Sequence, residues 1–274
     1  MPIEYIISHD CPVKRALEGE TAFITACTWR MLAKAAKRQA RDEDVNFGEV
    51  QVVHRFITLD GLTEISEPLT ELMRETEKLE ALAYHCEDCP ACALDETFGC
   101  FGTLAYPLSG EVEDWLHFVV DRPWPRRLLR AWRNFFDARQ ADPARIAQLR
   151  SRGEEFLEGK GAWGLHVRAE DDEDGDGLDI NADEVLAALF AGGELGGVEA
   201  LFLLDLMDAL DDDVDEEGVE DRPVLEIELD GETAVFALDL YPESTDDPAI
   251  IDVKAYLAAL FYAAALGVEL HVDL

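Results

Sequence analysis

His85-Cys86-Glu87-Asp88-Cys89-Pro90-Ala91-Cys92, answered eight residues later by Cys100 in Phe98-Gly99-Cys100-Phe101-Gly102, gathers four of the chain's six cysteines into fifteen residues. Thiols at this density call for a shared cation or an oxidising compartment. The spacing is C-x2-C-x2-C-x7-C. Two C-x2-C steps in a reducing compartment favour metal, because thiolates paired on a tight turn can reach a tetrahedral ion at ~2.3 Å. The expectation is a small metal-anchored knuckle with Cys86, Cys89, Cys92 and Cys100 as ligands and zinc as the ion. His85, His9 and Cys11 are the substitutes should Cys92 not serve. An iron–sulfur cluster is the alternative, since the first three cysteines follow a ferredoxin-type run, although the fourth lacks the usual x3 step and the following proline. Unligated thiols or a disulfide form the bland reading. A site filled by four protein ligands is closed and structural, whereas hydrolysis needs an open position.

Around that stretch the chain is long enough for two domains at ~100 to 200 residues each. It has 274 residues, 48% of them hydrophobic, an ordinary globular composition. The opening Met1-Pro2-Ile3-Glu4-Tyr5-Ile6-Ile7 has neither the basic region nor the apolar stretch of a signal peptide. The longest uncharged run, residues 255–268, is fourteen residues, short of the ~20 that a spanning helix needs. A cytoplasmic protein without a membrane span is expected.

The formal charge of −37 is unevenly spread: residues 1–152 carry 25 acids and 19 Lys or Arg, residues 153–274 carry 35 acids and 4. The second part repels phosphate backbones, which disfavours nucleic acid as its partner and leaves a solvated surface or a cationic protein partner.

Periodicity gives the remaining elements. Residues 2–8 read as a strand, and residues 20–41 as a helix whose apolar face carries Ile24, Cys27, Met31 and Ala35. Lys34, Lys37, Arg38 and Arg41 crowd its last turns, where cations suit the helix dipole. Cys27, on the apolar stripe, reads as a small core hydrophobe. Residues 49–59 alternate as a strand, and Ser66 with Pro68 marks a helix start that leads into the cysteines. Ser109 opens another helix. Residues 121–125, with two prolines, break the chain, and Leu128, Leu129, Trp132, Phe135 and Phe136 then form the apolar face of an arginine-rich helix. Asp142-Pro143 begins a further helix. The second part reads as a strand at 162–168, helices at 181–191 and 198–210, a hairpin of 224–229 with 233–240, a helix from Asp247-Pro248 to Leu266 that is apolar nearly all round, and a last strand at 268–274. The class is α+β: a knuckle domain at 1–121, an Arg-rich connector at 122–160 and an acidic domain at 161–274.

Cys86-x-x-Cys89-Pro90-Ala91, followed by Phe98-Gly99-Cys100-Phe101-Gly102 and Tyr106-Pro107-Leu108-Ser109, resembles a group of uncharacterised bacterial proteins with a C-x2-C-P-A-N…F-G-C-x-G…Y-P-x-S signature. The resemblance covers roughly residues 1–120. Where the group has asparagine this chain has Cys92, so the resemblance implies Cys86, Cys89 and Cys100 as the core ligands. It implies no activity.

Asp172-x-Asp174-x-Asp176-Gly177, with Asp183 at the twelfth place, matches the start of a calcium loop. Asp at the twelfth place and a preceding strand depart from that pattern, and a solvated acidic loop is the commoner reading. No P-loop, dinucleotide glycine motif, G-x-S-x-G or H-E-x-x-H occurs. The functional expectation is a non-catalytic zinc-binding scaffold or adaptor whose acidic domain meets a protein partner. A redox enzyme or metalloenzyme using the cysteine cluster is the alternative. Oligomeric state has no sequence signal.

Overall fold

The computed structural model describes residues 3–58, 61–105, 108–120, 126–139, 164–167, 178–181, 185, 188–190, 193–211, 224–229 and 232–273. They form an α+β protein in two compact units, one of His9–Phe101 and the other of residues 2–8 with 102–274.

The first unit is a helical pair with a hairpin. A short helix α1 (Pro12–Ala16) has proline at its first position and Cys11 as N-cap, whose Sγ accepts the Lys14 N–H at 3.5 Å. Proline suits that place because its missing N–H would have no helical partner there. Gly19, at φ 133°, then turns the chain into α2 (Glu20–Asp42). Strands β2 (Gln51–Thr58) and β3 (Gly61–Pro68) form an antiparallel hairpin, and α3 (Leu69–Glu80) follows directly. Ala33, Val52, Leu69 and Leu72 make a buried cluster backed by Trp29, Leu32, Phe47 and Met73. On the same helix pair, Arg30 Nε donates to Glu80 Oε1 at 2.6 Å. A single helical turn, Ala83–Cys86, delivers the chain to the cysteines.

The second unit is built on one buried helix. Strand β1 (Ile3–Ile7) lies in a four-stranded sheet of order β4-β1-β11-β7 with β4 (Phe101–Leu104), β7 (Gly193–Leu195) and β11 (Leu270–Asp273). Helix α4 (Gly110–Val120) is capped by Ser109, whose Oγ accepts the Val112 N–H. Helix α5 (Arg126–Arg139) buries Leu129 and Trp132 while Arg130 and Arg133 stay exposed, and its Phe135 stacks on Phe202. Strands β5 (Gly164–Val167) and β6 (Leu178–Asn181) pair with each other. Helix α6 (Gly197–Leu206) precedes a three-stranded sheet of order β8-β10-β9, from β8 (Leu210–Asp211), β9 (Val224–Leu229) and β10 (Glu232–Leu238).

Helix α7 (Pro248–Leu266) is capped at its start by Asp247 Oδ1 accepting the Ala249 N–H, and at its end by Gly267 at φ 63°. Both ends follow the asymmetry of proline inside a helix start and glycine past its end. Alone among the described helices it is long and apolar enough to cross a membrane. Here it is a core helix: Val253, Tyr256, Leu257, Ala258, Ala259, Leu260, Phe261 and Ala263 are buried. Tyr256 packs edge-on against Tyr5 at 5.2 Å and donates its hydroxyl to the Leu189 carbonyl.

Several expected elements change. Ser66 does not cap a helix: it pairs with Val53 in the hairpin, and α3 starts at Leu69. The residues before Leu69 instead complete a ladder running from Thr58↔Gly61 to Gln51↔Pro68. The helix expected to reach Leu210 stops at Leu206, because Asp208 takes φ 52° and the chain turns into β8. Strands β3, β4, β6, β7 and β8 are additions. The units also differ from the expected division at 121. The first strand lies in a sheet with the last one, Glu4 to Ile7 pairing Asp273 to Leu270, and such long-range pairing leaves no local trace in the sequence. The helix expected at 181–191 does not begin at Asn181, which ends β6 and pairs with Gly164; of the described residues after it, 185 and 188–190 are helical. The helix expected from Asp142, the break at 121–125 and the calcium loop lie outside the described residues.

Gly102 faces the Tyr5 ring so closely that a Cβ there would fall 2.2 Å from the hydroxyl oxygen. Gly102→Ala should lower stability by ~1–3 kcal/mol through overpacking, whereas Gly110→Ala, with open space around its Cβ, should not; thermal denaturation of the two variants reads the contrast. Lys254, 8% exposed, pairs with Asp246 at 2.8 Å, and the ammonium holds the Asp246 carboxyl below the usual carboxylate range. A depressed native pKa contributes stability above the unfolded value of ~4 that is lost as pH falls through the native one. The melting difference between the native chain and Asp246→Asn should therefore be full at pH 7 and narrow below about pH 4.

Candidate metal centre

The thiols of the expected set lie in pairwise contact around Cys92, and Cys11 is linked to them through Cys89. Cys86 closes the single turn after α3, Cys89 and Cys92 follow on successive tight turns, and Cys100 stands at the foot of β4. The turns are closed by backbone bonds from Cys89 N to the Cys86 carbonyl at 3.2 Å and from Cys92 N to the Cys89 carbonyl at 3.0 Å. The C-x2-C step is thus one turn per pair of cysteines, which keeps successive sulfurs near each other. Cys92 hydrogen-bonds the thiols of Cys100, Cys86 and Cys89. Cys11, from the head of α1, hydrogen-bonds Cys89. None of the six cysteines is in a disulfide; Cys92, Cys100 and Cys11 are buried, Cys86 and Cys89 half-buried.

The loop from Cys92 to Cys100 bends sharply to close this group. Leu94 and Phe98 take left-handed conformations, φ 59° and 67°, each a cost of order 1–2 kcal/mol for a residue with a side chain. A Cβ on Gly99 would stand 2.4 Å from the Ala93 carbonyl oxygen, so only glycine fits. Phe98 is held in place by Phe23, ring centroids 6.2 Å apart, and by the Arg30 guanidinium 5.1 Å above its ring. Burial of these contacts offsets the backbone cost.

The thiols divide the protons unequally. The S–H of Cys92, the Phe98 backbone N–H and the charge of Arg30 stabilise a thiolate at Cys86 against the opposing effect of burial, and bring it down to about 7. Cys92 is pushed up by its bonds to Cys100 and Cys86 and by burial. Cys11 is pushed up by its bond to Cys89 and by burial, against the Lys14 N–H. At Cys89 the Cys11 S–H favours the thiolate, but Cys92 and burial outweigh it and the net direction is up. Metal-free, the group is readiest to carry a thiolate at Cys86, bonded by the Cys92 S–H and the Phe98 N–H, which is the form in which a soft cation would meet it.

Of the substitute ligands, Cys11 is brought to the thiols. His85 turns its ring onto Tyr84, centroids 4.0 Å apart, and His9 has no described tie to the thiols. Cys27 is 3% exposed on α2, a core position as expected. Asp172, Asp174, Asp176 and Asp183 lie outside the described residues; the strands before and after the first three pair with each other, where an EF-hand has helices. Arg30 and Phe98 have no motif that would have singled them out. No protein-family model, curated protein or solved structure matches the chain.

In metal-free protein at neutral pH, iodoacetamide should modify Cys86 first, with a rate that rises through about pH 7. Peptide mass spectrometry identifies the site; first modification at Cys11 or Cys92 contradicts the proton assignment.

Proposed function

We propose that the thiol group holds one zinc ion as a closed, structural site, and that the chain is a non-catalytic, metal-braced binding protein working in a reducing compartment such as the cytoplasm. The observation that carries this reading is the string of pairwise contacts that links five cysteines without a disulfide, drawn from both ends of a ninety-residue segment. A single cation compensates several thiolates where five close thiols otherwise compete for protons.

The ligand set is refined to Cys11, Cys86, Cys89 and Cys100. Backbone N–H groups reach the sulfurs of Cys11 (from Lys14 and Val13), Cys86 (from Phe98) and Cys89 (from Ala91). Such bonds orient and stabilise metal-bound thiolates. Cys92 is surrounded chiefly by other thiols, and it stands where the resembling bacterial group has asparagine, so it serves as a donor beside the site. Arg30 offsets part of the negative charge that a tetrathiolate zinc carries. With every position filled by sulfur, no place remains for a reacting water, which favours a bracing role over hydrolysis. The −31 balance of residues 153–274 fits a cationic face on a protein partner and disfavours nucleic acid.

Elemental analysis of protein purified without oxygen tests the reading. About one zinc per chain in colourless protein is expected; iron in brown protein supports the cluster alternative instead, and metal-free protein with full stability removes the proposal. Cys11→Ser and Cys89→Ser should lose the zinc and lower the melting temperature, while Cys92→Ser should keep both; zinc loss from Cys92→Ser with retention in Cys11→Ser overturns the ligand set.

A further inference from the structure

The second unit carries a different group of metal-binding side chains on its sheet. Glu194, Glu269 and His271 each direct one ligand atom to a common point, all three atoms within 4.8 Å of one another. The sheet produces this arrangement. His271 on β11 is the register partner of Glu194 on β7, so their side chains leave the same face directly opposite each other. Glu269 precedes His271 by two residues and shares that face by the alternation of an extended chain. Its backbone is fixed by the Ser8 N–H donating to its carbonyl at 2.8 Å.

The spacing suits a cation better than it suits direct contacts. His271 Nε2 lies 3.5 Å from Glu269 Oε2 and 3.8 Å from Glu194 Oε1, the outer limit of a hydrogen bond and beyond it. Two ligands of a tetrahedral zinc at ~2.0–2.1 Å stand ~3.3–3.4 Å apart, so shifts of a few tenths of an ångström would seat an ion. Without one, two carboxylates and an imidazole share a small space. The side chains are 36%, 53% and 66% exposed for His271, Glu269 and Glu194, leaving the ion open to water on one side.

We propose that Glu194, Glu269 and His271 form a second, reversible site for a borderline divalent cation, zinc in the first instance, which clips β7 to β11. One imidazole with two carboxylates selects zinc, cobalt or nickel over calcium and magnesium, which prefer oxygen alone. Three protein ligands with open positions bind more weakly than a closed tetrathiolate and exchange with the medium. The acidic surroundings raise the local cation concentration. This site stands on residues separate from the cysteines, and the cysteine reading can fail without affecting it.

Isothermal titration of zinc into the full chain in 150 mM salt tests it. Beyond any zinc already held, the native chain should take up one further equivalent with a dissociation constant on the order of micromolar, and His271→Asn and Glu194→Gln should each weaken that step by tenfold or more. The same step should persist in Cys86→Ser/Cys89→Ser, which separates it from the thiol site. No further equivalent up to about 1 mM zinc, equal affinity in His271→Asn, or equal competition by calcium would each overturn the proposal.

Discussion

Crowding of thiols at the head of α1 is the constraint from which the shape of the first unit follows. Cys11 can lie beside Cys89 only if the chain from 20 to 80 returns to its starting point. Helices α2 and α3 make that return, and their packing around Ala33, Leu69 and Leu72 supplies the apolar burial that the small knuckle lacks. The loop that closes the group does so against its own backbone preferences, with Leu94 and Phe98 left-handed and Gly99 without room for a methyl group. Conformations of that kind persist where surrounding contacts over-determine them. Here the contacts are Phe23 and Arg30 on one side of Phe98 and the thiols on the other. Arg30 has a double part, since its guanidinium lies over the Phe98 ring, favours charge at Cys86 and is itself anchored by Glu80.

What could be read from the sequence follows the range of the interaction. The cap and bounds of α7 are local events, and Asp247-Pro248 at one end and Gly267 at the other announce them in the chain itself. The same holds for α2 and for the hairpin of β9 and β10. The cluster of cysteines at 86–100 was legible because two C-x2-C steps build their own turns. The failures are long-range. Ser66 and Pro68 carry helix-start chemistry, yet pairing with residues 51–53 holds them extended. Strand β1 finds its partner more than 260 residues away. Cys11 could be listed beside the cluster as a substitute, but nothing near it tells that the fold returns residues 86–100 to its side. Glu194 and His271 carry no motif either, because their proximity is a matter of register between two strands.

The charge of the chain takes on a more specific sense once the side chains are placed. A balance of −31 over residues 153–274 reads in the sequence as a uniform acidic surface. In the fold none of the described acids of that part is buried, while α7 takes the interior. The exception inside is Lys254, and it is matched by Asp246. An excess of like charge opposes the compact state, and two devices work against that opposition. One is the extent of apolar burial around α7; the other, on the proposal above, would be capture of a cation at Glu194, Glu269 and His271.

Sulfur and oxygen sites in one chain would answer to different conditions. A closed set of thiolates holds a soft ion so firmly that its loss amounts to unfolding of what it braces. An exposed set of two carboxylates and an imidazole gives its ion up to a change in free metal or in acidity, because a proton on His271 removes the nitrogen ligand and adds a charge of the wrong sign. Edge strand β7 has three residues, and its described ladder joins it to β11 alone. A cation shared between Glu194 and His271 would add its strongest tie at the point where the sheet has least pairing of its own. The consequence would be a fold whose first unit takes its shape with metal and whose second unit takes up metal as an adjustment to its edge.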